Sequence, residues 1–108
     1  MTFKPILVLI TAPTHEDARR ISNTLLGKKL AACVNIVSAV DSHYIWQGEI
    51  NEEKEVLLIV KSTEELFEER LVPAVKAVHP YDVPEIIALP IIMGSKDYLN
   101  WIEEVTCE

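Results

Sequence analysis

Residues 30–62 read "LAACVNIVSAVDSHYIWQGEINEEKEVLLIVKS". Two segments rich in β-branched and aromatic residues flank the turn dipeptide Gln47-Gly48. That pattern predicts a β-hairpin. The first arm, from Asn35 to Trp46, is twelve residues long. At about 3.3 Å per residue it reaches roughly 40 Å. A small domain cannot cover an arm of that length, so part of the hairpin should project and meet another surface.

The flanking segments complete the fold. Upstream, Ile6 to Ile10 form the run "ILVLI", too short for a helix and rich in β-branched residues, so a buried strand is predicted. Thr14 with Asp17 three positions on resembles a capping box. Ala18, Ile21 and Leu25 share one helical face, and Gly27 supplies the stop. Downstream, Ser62 and Glu65 offer a cap signal for a second helix. Its Phe67, Leu71, Ala74, Val75 and Val78 recur at helical spacing, and Pro73 should kink or split it. "EIIALPIIM" (85–93) predicts a fourth strand. Pro90 cannot donate to a ladder, which puts that strand at an edge or a bulge. Ser95 starts a last helix with Tyr98, Leu99, Ile102 and Val105 inward. The order β-α-β-β-α-β plus a C-terminal helix is met most simply by one α+β domain over 1–108. Its expected form is the ferredoxin-like split βαβ arrangement, one antiparallel sheet with two helices on one face.

A sheet with one wet face alternates apolar and polar residues. "ILVLI" and "VLLIV" (56–60) do not, so both faces must be dry. One short C-terminal helix cannot cover four strands. Each Val or Leu left in water forgoes roughly 1.5–3 kcal/mol. Other copies of the chain, reached by the hairpin arm, are therefore expected to cover the second face; the weaker alternative is that the C-terminal helix and a bent hairpin cover it within one chain.

Composition narrows function. The 108 residues are 49% hydrophobic and 25% charged, ordinary for a globular domain. The net charge of −7 argues against nucleic acid, which wants a basic stripe. No apolar run approaches the roughly 20 residues of a membrane span, and "MTFKPILVLITAP" reads as a first strand rather than a leader, so a cytoplasmic protein without membrane insertion is expected. Cys33 and Cys107 form no C-x-x-C pair, and no disulfide is expected.

The densest chemistry lies in "HPYDVPEI" (79–86). Two readings stay open. As a stiff turn, Pro80 ends the second helix, Pro84 launches the fourth strand, Asp82 bonds turn amides, and His79 complements a helix C-terminus. As a site, His79 with Asp82 or Glu85 would offer copper(II) imidazole and carboxylate donors, further ligands coming from elsewhere. No closed zinc pattern exists. His15 and His43 read as solvated, Cys33 as strand core, and the glutamates 52, 53, 55, 64, 65, 68 and 69 as solvated faces. No phosphate loop or nucleophile elbow is present. Lys61, Tyr81 and Glu85 would make a polar pocket if the fold brought them together.

The stretches "TAP" (11–13), "KKLAACVNI" (28–36), "YIWQGEI" (44–50), "VLLIVKS" (56–62), "HPYDVPEI" and "YLNWI" (98–102), in this order, resemble the CutA family of divalent-cation tolerance proteins over almost the whole chain. The resemblance implies a ferredoxin-like subunit in a homotrimer, with Tyr44 and Trp46 at trimer contacts. It also implies a shape like the PII signalling proteins, no enzymatic activity, and weak binding of copper(II) or another divalent cation in a response to metal ions. Some relatives carry a strand-one cysteine and two adjacent histidines. Ile10 and Val78 stand at two of those positions here, which leaves His79 as the metal ligand. Cys33, Lys61, Tyr81, Asp82 and Glu85 are the expected residues of a cleft. The alternative is a PII-like scaffold that binds a small ligand or a protein between subunits.

Overall fold

A computed structural model describes residues 3–106. Cys107 lies outside them; Cys33 is a free, partly buried thiol. Strand β1 is Pro5–Ala12, helix α1 is His15–Gly27, and strands β2 and β3 are Cys33–Trp46 and Glu49–Thr63. Helix α2, Glu64–Leu66, runs through a π turn at Phe67–Leu71 into α3, Val72–Val78. Strand β4 is Ile86–Pro90 and helix α4 is Lys96–Thr106. The four strands form one sheet in the order β2-β3-β1-β4, with every pairing antiparallel.

The hairpin forms as the sequence predicts. Trp46 faces Glu49, which leaves Gln47 and Gly48 as a two-residue turn. Their φ values of 52° and 81° are both positive, as a type I′ turn requires. The arm stretches the chain to 45 Å along one axis against 26 and 23 Å across. The pairing slips once, between Val37 and Val40, where Ala39 takes φ 64°. This bulge sharpens the strand's twist where the arm leaves the domain.

One sheet face carries the core. Val8, Ile10, Leu58 and Val60 are fully buried there against Ala18, Ile21 and Leu25 of α1 and against Leu71 and Val75. Alternation puts Leu7, Leu9, Leu57 and Ile59 on the opposite face, where they stay half-buried. Helix α4 lies against β3 and β1 with Ile102 fully buried. It covers only part of that face. Val37 on β2 remains 42% exposed, and Ile87 and Leu89 on β4 remain 51% and 45% exposed.

Local expectations hold in part. Ser62 does not cap the second helix. It belongs to β3, where its hydroxyl donates to the Leu30 carbonyl at 2.6 Å. The extended N-cap residue is Thr63. Helix α1 does stop at Gly27, and Lys29, at φ 58°, takes the left-handed conformation just beyond it. Pro73 does split the second helix: a π turn at Phe67–Leu71 separates α2 from α3, and Pro73 stands in the first turn of α3. The turn before it widens, Val72 N–H bonding to Phe67 O five residues back. Widening relieves the clash between the proline ring and the carbonyl behind it. Tyr98 is only partly inward: it is 39% exposed, and its hydroxyl reaches Cys33 on β2. Pro90 does end a strand at the sheet edge.

Candidate functional site

The site begins where α3 stops. Pro80 bars further helix and holds His79 extended, at φ −86° and ψ 138°. The imidazole then turns back toward the end of β1 and is buried. Its Nδ1 accepts the Tyr81 backbone N–H at 3.1 Å, and its Nε2 lies 2.8 Å from the Thr11 carbonyl oxygen. An amide can only donate and a carbonyl only accept, which assigns the neutral tautomer with its proton on Nε2. His79 therefore fastens the turn to β1 with both ring nitrogens.

Held this way, Tyr81 reaches the base of the hairpin arm. Its ring stands 5.0 Å from that of His79, and its hydroxyl donates to Glu55 Oε2 at 2.9 Å. Glu55 is only 7% exposed. Farther along the arm, the Tyr44 hydroxyl donates to Glu53 Oε1 at 2.7 Å. Burial, and then the bond to Glu55, pushes the Tyr81 hydroxyl above the usual tyrosine range. The bond to Glu53 does the same for Tyr44.

Turn and arm enclose an open cleft of about 620 Å³. Glu53 and Glu55 line it from the arm, with Tyr44, Trp46 and His43; Tyr81, Asp82 and Glu85 line it from the turn. No lysine or arginine is among the lining residues. Four carboxylates thus share one cavity with Tyr44, Trp46 and Tyr81.

Tyr81, Asp82 and Glu85 come together as the sequence predicts, and Tyr44 and Trp46 join them. His79 supports the cleft from behind and does not line it. Lys61 and Cys33 are elsewhere. They face each other across β3 and β2, six positions from Glu55 along the strand and so roughly 20 Å away. Lys61 Nζ bonds the Asn35 side-chain oxygen. The Tyr98 hydroxyl is raised by burial and by its hydrogen bond to Cys33. The expected pocket of Lys61 with Tyr81 and Glu85 therefore does not form within the chain. Ile10 is fully buried, and Val78 packs on the core. Among the described residues, no group of three or more His, Cys, Asp or Glu side chains is placed to hold a metal ion. The donor types suit copper(II), but the described residues do not preassemble a chelating set.

The sequence places Glu55 on a solvated face with Glu53; Glu53 is exposed, but Glu55 is buried, and that is the main miss. A signal existed. Strand alternation puts both glutamates on the face of Leu57 and Ile59, continuing an apolar line into the arm.

A four-stranded antiparallel sheet with helices on it and a long projecting hairpin, joined at an acidic cleft, defines the class, and comparison with known proteins supplies the family. The family described as "CutA1 divalent ion tolerance protein" matches residues 6–105, and the chain belongs to it. A divalent-cation tolerance protein CutA from Thermus thermophilus is 53% identical over 100 residues, covering 93% of this chain and 96% of that one. A chloroplastic CutA of Arabidopsis thaliana is 45% identical; the match covers 97% of this chain but 57% of the plant protein. The crystal structure of CutA1 from Oryza sativa superposes with a TM-score of 0.93 at 45% identity, over 99% of this chain and 97% of that one. No helix among the described residues is long and apolar enough to cross a membrane.

Proposed function

We propose that the chain works as a homotrimer that binds divalent cations weakly, copper(II) among them, and takes part in the response to metal ions. The reading is of a cytoplasmic binding protein rather than an enzyme, with no nucleic-acid partner. The carboxylate-lined cleft carries this reading. An acidic cavity without lysine or arginine concentrates cations from solution. The absence of a preassembled chelating set supports weak affinity, with further ligands from a neighbouring subunit. His79 becomes a ligand where Nδ1 exchanges the Tyr81 amide for the metal. The ferredoxin-like reading is supported by the strand order β2-β3-β1-β4. The trimer is supported by the projecting arm and by the apolar residues left in water, with Ile92 and Met93 each 81% exposed.

Calorimetric titration of copper(II) into the purified protein tests this, with light scattering on the same samples. Saturable binding to a trimer, weakened in both Glu55→Gln and His79→Ala, is the expected result. A trimer that takes up no copper(II) ends the cation reading, and a monomer ends the trimer.

A further inference from the structure

We infer that Tyr81 gates the imidazole of His79, so that a metal ion on His79 and the hydrogen bond between Tyr81 and Glu55 exclude one another. The inference rests on reading His79 as a ligand and adds how access to it is regulated.

The two ring nitrogens leave one approach. Nε2 carries the proton and donates to the Thr11 carbonyl at 2.8 Å, so it has no lone pair to offer a metal. Only Nδ1 has one, and that lone pair accepts the Tyr81 backbone N–H at 3.1 Å. A metal–imidazole bond is about 2 Å long. An ion on the same line would stand about 1 Å from the Tyr81 nitrogen. The amide and the ion cannot share the position, and one leaves when the other arrives.

Tyr81 cannot yield its amide alone. Pro80 holds a fixed φ and leaves the chain between His79 and Tyr81 little freedom. The Tyr81 ring stands 5.0 Å from the imidazole, and its hydroxyl donates to Glu55 at 2.9 Å. Glu55 is buried and paired with Val40 in the β2–β3 ladder, so it does not follow a moving tyrosine. An ion on Nδ1 therefore displaces the Tyr81 backbone and breaks the bond to Glu55.

The coupling is reciprocal. Whatever loosens Tyr81 raises the affinity of His79 for the ion by the factor with which the ion loosens Tyr81. A metal-ligating histidine commonly rests its second ring nitrogen on a carbonyl, and the Thr11 contact already does this. The ring is thus oriented for a metal on one side and closed to it on the other.

The test is calorimetric titration of copper(II) into the intact protein, Tyr81→Phe and His79→Ala. Hydrogen exchange of residues 79–86 is read by mass spectrometry in the unmodified protein with and without the ion, so one measurement stands even if a variant fails to fold. Copper(II) is expected to speed that exchange by about tenfold and to bind Tyr81→Phe about tenfold more tightly. Unchanged exchange at saturation, or equal affinity in Tyr81→Phe, overturns the gate and leaves the cation reading standing. Binding undiminished in His79→Ala puts the ion elsewhere and overturns the gate as well. No saturable copper(II) binding to any of the three ends both.

Discussion

Tyr81 donates its hydroxyl to Oε2 of Glu55 at 2.9 Å, joining two residues 26 positions apart. The bond ties the turn after α3 to the base of the hairpin arm. Glu55 sits on the arm just beyond Val56, the partner of the last β1 residue, Ala12. His79 holds Tyr81 in place from behind.

Tyr81→Phe removes the donor and leaves a buried carboxylate without it. A loss of about 1–3 kcal/mol is expected, read from urea midpoints. The alkaline limb should change as well. The folded state holds the Tyr81 proton more tightly than the unfolded chain, whose reference is 10.0. Stability is therefore complete below that value and declines as pH rises through it. Phenylalanine should make the decline shallower, though not flat, because Tyr44 and Tyr98 are also raised. Identical alkaline slopes for both proteins would remove Tyr81 from the explanation.

His79→Ala deletes the bonds to Thr11 and to the Tyr81 amide and opens a void at a buried position. About 2–4 kcal/mol of stability should go, while the oligomer stays intact. A change in denaturation midpoint too small to resolve would mean that the imidazole does not fasten the turn.

Ala39 holds φ 64° in the bulge of β2. A residue with a Cβ is strained there, and glycine is not. Ala39→Gly should raise stability by about 0.5–1 kcal/mol after the entropic cost of glycine in the unfolded chain. A lower melting temperature would count against strain at the bulge.

Trp46 is 51% exposed beside the hairpin tip, next to Ile45 at 74%. In the proposed trimer it is buried by a neighbouring subunit, so Trp46→Asp should prevent assembly. Light scattering that returns a normal trimer would defeat the arm's role.

Much of the fold was legible from local pattern. "ILVLI" and "VLLIV" lack alternation and became β1 and the apolar half of β3, the two central strands of the sheet. Gln47-Gly48 marked the hairpin tip, because few dipeptides tolerate two positive φ values. Pro90 placed β4 at an edge, because it has no N–H to share. Pro80 placed the end of α3. Each of these is a constraint written within a few residues, which is why it survives without knowledge of the rest of the chain. The local rules failed where a distant partner took the group, as when Ser62 bonded Leu30 instead of capping a helix.

The cleft was legible only in part. "HPYDVPEI" named the right turn, but its own residues do not say whether His79 is a ligand or a fastening. The fastening appears only at the end of β1, where the Thr11 carbonyl, 68 positions away, meets Nε2. Nor could spacing show that Glu55 is buried while Lys61, on the same strand and the same face, lies at its far end beside Cys33. Strand register and the exit angle of α3 decide those distances. They follow from packing of the whole core, in which contacts between remote residues form together or not at all. Residue types and turn positions belong to short stretches of chain; the meeting of Tyr81, Glu55, Glu53 and Asp82 around one cavity belongs to the folded sheet.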